Sequence, residues 1–276
     1  RLSLREGDRS LVPIIIRGSM AMRRNALMGM AALGGAGSVI AARHLYRWYS
    51  RAGRKLTLHL YDHCPFCVRV ELVLGRFGIP FERVVYGYGD MKGPVVLTGK
   101  KVLPVLEGPG VPAPDGMKGL PESLDIIAWV TSAYGLTLPC DNGRADVLAW
   151  KKKYDEVRRP LQRPRLIQMP VKDWASEEDI KYVKAKHTKN NPNFYEEAEK
   201  NTDELVEKAN ALLVEFETLL EGDDALCSWG FGMLDVKILP DLRNMTCVKG
   251  IKWPPKVLDY VKNNCEKGKV SLYEGI

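Results

Sequence analysis

The chain has 276 residues, of which 45% are hydrophobic and 27% charged, a globular balance that excludes a disordered or collagen-like polymer and provides core material for one or two domains. Its formal net charge of +7 is spread along the chain and interleaved with acids, which reads as a solvated basic surface and gives no reason to expect nucleic acid. Cysteines at 64, 67, 140, 227, 247 and 265 are too sparse for a disulfide scaffold, and isolated histidines supply no second close pair for zinc; no metal is expected, and a reducing compartment fits.

Beginning at Arg1 rather than Met, the sequence is expected to be a processed or partial chain. Residues 1–24 are polar and basic apart from the short run "LVPIII". Asn25 to Ala42 carries no charge, is rich in Gly and Ala, and has arginines on both sides. As a helix it would span about 27 Å, close to the hydrocarbon thickness of a bilayer. Tyr46 and Trp48 beyond it suit a membrane interface. A membrane helix over 25–42 is expected. A targeting segment headed by a twin arginine and a soluble packing helix are the rival readings. Residues 43–54 form a linker.

From residue 55 the pattern becomes that of a folded domain. "KLTLHLY" (55–61) alternates apolar and polar residues as a strand does, and "CVRVELVLGRFG" (67–78) has helical spacing ending at Gly78. "FERVVYG" (81–87) is a second strand and "KVLPVLEG" (101–108) a third. A fourth is expected around 109–115, and "PESLDIIAWVTSAYG" (121–135) is a helix. Residues 136–144 are a linker, and 145–276 contain amphipathic helices such as "ELVEKANALLVEFETLLEG" (204–222), with no convincing alternating strand. The layout is an α/β domain over 55–135 followed by an all-helical domain over 145–276.

The chemistry gathers at "YDHCPFC". With Cys64 where a strand gives way to a helix and Pro65 in the first turn, the unpaired N–H groups and positive helix end favour a thiolate at Cys64. The thiolate is the attacking species in disulfide exchange, and Cys67, one turn on, can resolve a mixed disulfide. His63 could tune the nucleophile but reads more simply as an exposed spacer. In "VLPV" a cis Leu103–Pro104 bond would turn the Leu103 backbone groups toward the dithiol, where an extended peptide thiol could pair with them; a plain edge-strand proline is the alternative. In "PES", Glu122 and Ser123 start a helix, where free N–H groups bind a carboxylate and a side-chain carboxylate suits an ammonium; a simple N-cap is the alternative.

"LYDHCPFC", "TGKKVLPVLE", "LPESLDIIAWV" and "LRNMTCVKGIKWPPKVLDYVKNN" together resemble the bacterial glutaredoxin-2 family, from about residue 55 to near the C-terminus. The resemblance implies a thioredoxin-fold N-terminal domain and an all-α, glutathione-transferase-like C-terminal domain. It also implies Cys64 as nucleophile and Cys67 as resolving cysteine, with Leu103 and Pro104 as the peptide clamp and Glu122 and Ser123 as the γ-glutamyl site of glutathione. The implied activity is glutathione-dependent thiol–disulfide oxidoreduction, with glutathione as co-substrate and disulfides or glutathionylated proteins as partners.

Three features depart from that family. The first fifty or so residues have no counterpart, "PLQRPRLIQMPVKDWASEEDIKYV" (160–183) is proline-rich and basic at its start, and Gly232 stands where a Ser or Thr helix cap is expected. The N-terminal segment opens a second functional reading, an accessory subunit of a photosynthetic or respiratory membrane complex that uses the fold for docking. On that reading a plastid thylakoid membrane is favoured over the mitochondrial inner membrane. A conjugating glutathione transferase is a third, since those enzymes activate glutathione's own thiol without needing a second cysteine.

Overall fold

The computed structural model describes residues 55–139 and 143–275. The expected membrane helix over 25–42 lies outside them, as does Cys140. Among the described residues no helix is long and apolar enough to cross a membrane.

The first strand, β1 (Leu56–Leu60), is almost wholly buried and occupies the middle of a four-stranded sheet of order β2-β1-β3-β4. A crossover through helix α1 (Pro65–Arg76) returns the chain to β2 (Phe81–Val85), parallel to β1, since parallel neighbours need a crossover connection between them. Helix α2 (Gly93–Thr98) precedes β3 (Val105–Glu107), which runs antiparallel to β1, and β4 (Leu120–Pro121) pairs antiparallel with β3. Helix α3 (Ser123–Tyr134) follows. This is a thioredoxin-like domain.

Two expectations along this stretch are corrected. No strand occupies 109–115; β4 lies at Leu120–Pro121, because Pro109, Pro112 and Pro114 have no N–H to give a ladder. Helix α2 escaped the sequence reading because "GPVVLT" is too short to show a 3.6-residue period and its β-branched residues look extended. The third strand also shortens to 105–107, starting just past Pro104.

The C-terminal part is helical: α4 (Ala145–Leu166), a single 3-10 turn (Lys172–Trp174), α5 (Glu177–Thr188), α6 (Phe194–Lys200), α7 (Thr202–Leu219), α8 (Met233–Met245) and α9 (Pro255–Gly268). Pro160 and Pro164 lie inside α4 without ending it. An interior proline costs about 3 kcal/mol, but α4 buries Val147, Trp150, Tyr154 and Leu161 in a core shared with Ala209, Leu213 and Phe216 of α7, which offsets that cost. Trp150 stacks on Tyr154 and donates its indole N–H to the Leu212 carbonyl at 2.7 Å.

Helix α8 starts without a hydroxyl cap, for a steric reason. A Cβ at Gly232 would lie 2.7 Å from the Pro139 carbonyl oxygen. The buried Asp235 carboxylate does the capping instead, accepting from the N–H groups of Gly232 (2.8 Å) and Leu226 (2.9 Å) and from the Tyr260 hydroxyl (2.8 Å).

The two domains share one core. Val68 and Leu72 on α1 belong to the same buried cluster as Leu234, Ile238, Val257 and Val261 of α8 and α9. Gly75 and Gly268 let α1 and α9 touch backbone to backbone; a Cβ on Gly75 would sit 1.9 Å from the Gly268 carbonyl oxygen. The helix that carries Cys64 and Cys67 is therefore packed directly against α8 and α9 of the helical domain.

Candidate active site

Cys64 is the N-cap residue of α1, with extended backbone (φ −72°, ψ 118°) and Pro65 in the first turn behind it. It is half-buried, whereas Cys67 is fully buried and its sulfur accepts the Tyr61 N–H at 3.4 Å. The two sulfurs are inequivalent. The Cys64 thiol is lowered to about 7, chiefly by a hydrogen bond from the Cys67 thiol, against the opposing effect of burial. Positive charge on His63 and the N–H groups of Cys67 and Phe66 at the helix start add to the lowering. Burial, with the hydrogen bond given to Cys64 and the charge forming there, pushes the Cys67 thiol well above its ordinary range. Near neutral pH this pair holds one nucleophilic thiolate and one protonated thiol.

Cys64 opens onto a cleft of about 660 Å³ between the two domains, and Leu103, Pro104, Glu122 and Ser123 line the same cleft. Cys67 lies behind Cys64 and is not part of the wall. The Leu103–Pro104 bond is cis. Leu103 lies just outside the β3 ladder, and among the described residues its N–H and C=O have no hydrogen-bond partner. Glu122 has φ +68°, a left-handed conformation that a non-glycine residue rarely holds and that clusters at ligand clamps. It delivers the chain into α3 so that buried Ser123 is the first helical residue, where N–H groups have no intrahelical acceptor.

His63 is not the exposed spacer the sequence suggests. Its side chain is 16% exposed and its Nδ1–H donates to Asp173 Oδ2 at 2.5 Å; an ionised carboxylate can only accept, so Nδ1 carries the proton. Asp173, fully buried in the 3-10 turn of the helical domain, also accepts the backbone N–H groups of Asp62 (2.9 Å) and His63 (2.8 Å). The carbonyls of the same two residues are taken as well. Asn244 Nδ2 donates to the His63 oxygen at 2.8 Å, and Arg243 Nη1 to the Asp62 oxygen at 3.0 Å. The imidazole packs against Trp174 and Tyr88, with ring centroids 4.5 and 5.0 Å away. Every backbone hydrogen-bonding group of the two residues before Cys64 is thus satisfied by the helical domain.

Residues 146–276 match a family model described as "Glutaredoxin 2, C terminal domain", and residues 63–133 match "Glutathione S-transferase, N-terminal domain". "Glutaredoxin 2" of Escherichia coli strain K12 is 27% identical over 217 residues, covering 79% of this chain and 97% of the relative. The strain O157:H7 protein of the same name gives the same figures. A crystal structure of glutaredoxin 2 from Salmonella typhimurium in complex with glutathione superposes with a TM-score of 0.72 at 27% identity, over 79% of this chain and 96% of that one. By the model that matches its helical part and by these relatives, the chain is similar to the glutaredoxin 2 family.

Sequence reasoning overlooked the residues that grip the Cys64 loop. Asp173, Arg243, Asn244 and Trp174 carry no short-range motif; Asp173 is 110 positions from His63, and Asn244 is 181. A buried aspartate in "KDW" beside a helix start was the one available signal, and a single sequence does not reveal burial in a turn. Among the described residues no group of three or more His, Cys, Asp or Glu side chains is arranged to hold a metal.

Proposed function

We propose that this chain is a glutathione-dependent thiol–disulfide oxidoreductase working through Cys64. The observation that carries this reading is the Cys64 thiol, lowered to about 7 and opening onto a cleft that also holds the unpaired Leu103 backbone, Glu122 and Ser123. The glutathione-bound Salmonella relative supports glutathione as the co-substrate. The donor set suits that molecule: the Leu103 N–H and C=O can pair with its extended backbone, Ser123 and the α3 start with its α-carboxylate, and the Glu122 carboxylate with its ammonium.

In the proposed reaction the Cys64 thiolate attacks the glutathionyl sulfur of a mixed disulfide. The new S–S bond joins Cys64 to glutathione, the old one breaks, and the substrate leaves as a thiolate that takes up a proton. The Cys67 sulfur then gives up its proton and displaces glutathione as a thiol, leaving a Cys64–Cys67 disulfide that two further glutathione molecules reduce, forming glutathione disulfide. Alternatively, one external glutathione attacks the Cys64 adduct directly, regenerating Cys64 and releasing glutathione disulfide. An electrophile-conjugating transferase would have no use for the Cys67 partner.

Turnover of a glutathionylated peptide, followed by NADPH consumption through added glutathione reductase, tests this reading. Wild type should turn over and Cys64→Ser should not; undiminished turnover in the variant would sink the assignment. Membrane tethering, a thylakoid location and a place in a membrane complex rest on residues 25–42 and the basic residues that flank them. Fractionating membranes from cells expressing the chain with and without those residues separates a tethered enzyme from a free one.

A further inference from the structure

The two walls of the cleft differ in charge. Lys101, Arg158, Arg159, Arg163 and Lys186 line it, against a single carboxylate, Glu122, on the thioredoxin-like side. Four of those cations come from α4 and α5 of the helical domain. Arg158 is committed, lying 2.6 Å from Asp155 and 3.2 Å from Asp241. Its neighbours are not. Arg159 reaches Asp155 only at 3.8 Å with its side chain 54% exposed. Lys186 donates to the Tyr88 hydroxyl at 2.8 Å, and among the described residues neither Lys186 nor Arg163 has a carboxylate partner.

Arg163 is the sharpest case. It is half-buried, its guanidinium lies 5.7 Å from the Phe194 ring centre, and burial together with positive charge on Arg159 and Arg158 disfavours its charged form. A half-buried guanidinium beside two like charges is costly for a folded chain unless an anion occupies the space in front of it. An apolar side chain in its place would serve an uncharged electrophile better. From this wall we infer that Arg163, with Arg159 and Lys186, forms a subsite for the second half of the disulfide substrate, and that it selects acidic peptides. The inference rests on the oxidoreductase reading above. When Cys64 attacks the glutathionyl sulfur, the leaving peptide thiol faces the helical wall, and aspartate or glutamate residues flanking the modified cysteine meet these three cations. Charge complementarity of this kind raises encounter rates and suppresses wrong partners more than it adds raw affinity.

The test uses three glutathionylated peptides of equal length whose flanks are acidic, neutral or basic. Turnover is measured as kcat/KM, and binding by fluorescence anisotropy to the Cys64→Ser protein, which cannot exchange. Wild type should prefer the acidic over the neutral peptide by roughly five- to tenfold at low ionic strength, with the basic one poorest and the preference fading in high salt. The ratio of acidic to neutral kcat/KM should collapse toward one in Arg159→Gln/Arg163→Gln and invert in Arg159→Glu/Arg163→Glu. An unchanged ratio in these variants, or no acidic preference in wild type, overturns the subsite. Acidic-peptide selectivity in the binding measurement without turnover by wild type would retain the subsite and remove the oxidoreductase reading. Turnover without selectivity would do the reverse.

Discussion

The Nδ1 of His63 lies 2.5 Å from Oδ2 of Asp173, across the boundary between the thioredoxin-like and helical domains. One fully buried carboxylate thereby orients the imidazole beside Cys64 and accepts the N–H groups of Asp62 and His63, the two residues before it. The redox domain does not set its own thiol in isolation. Asp173→Asn keeps the volume but swaps an acceptor for an NH₂ group, which must meet one of these donors. Without the carboxylate the His63 imidazole loses the partner that favours its positive charge, so the Cys64 thiolate midpoint, read from ultraviolet absorbance against pH, should rise from about 7. Urea unfolding should show a loss of about 2–4 kcal/mol from the buried donors left unsatisfied. An unmoved midpoint would mean that Asp173 only builds the fold.

His63→Gln separates the charge from the scaffold. It removes the positive charge that helps lower the Cys64 thiol, while the backbone bonds of residue 63 to Asp173 and Asn244 can persist. The Cys64 midpoint should rise with much less loss of stability than in Asp173→Asn, in the same two measurements.

Reactivity should follow pH in one direction. Because the Cys64 thiol is lowered to about 7, its thiolate fraction falls as pH drops below that value and is nearly complete two units above it. Alkylation of the reduced protein by iodoacetamide should rise with pH with a midpoint near 7, labelling Cys64 and sparing buried Cys67, as peptide mass mapping would show. Cys67→Ala removes the largest contribution to the low value, so the midpoint should move upward. Deglutathionylation by the one-cysteine route should persist, and reduction of an ordinary protein disulfide should fall at least tenfold.

The Asp235 cap gives a stability prediction independent of the redox site. Asp235→Ala strips partners from two buried N–H groups and the Tyr260 hydroxyl and should cost about 3–5 kcal/mol in urea unfolding. Gly232→Ser, which supplies the cap the sequence lacks, should also destabilise, because its Cβ would approach the Pro139 oxygen to 2.7 Å. A gain in stability from that substitution would show that the Pro139 backbone can move aside.

Gly75→Ala tests the seam between the domains. Its Cβ would overlap the Gly268 carbonyl, so α1 and α9 must part. We expect a loss of at least about 2–3 kcal/mol in unfolding and a slower reaction of Cys64, since α1 carries the dithiol. An alanine accepted without cost would show that the two helices slide freely.

By itself the sequence determined the local chemistry and the elements written in short-range patterns. The alternation of "LTLHL", the proline behind Cys64, and the three- and four-residue spacing of apolar side chains over 204–222 each act within a few residues, so β1, α1 and most of α7 were legible. Cys64, Leu103, Pro104, Glu122 and Ser123 stand in motifs whose backbone demand is local, and the structure places all five on one cleft. Short α2 and the proline-bearing α4 were harder, because their helicity is supplied by packing against neighbours rather than by propensity. Only the tertiary structure decided what surrounds Cys64. Asp173, Arg243 and Asn244 bond to the two residues before it from more than a hundred positions away, and Arg163 lines the same cleft from the helical domain. Hydrogen-bond partners and charge neighbours at such separations follow from the chain's path through space, which no periodicity in the sequence encodes.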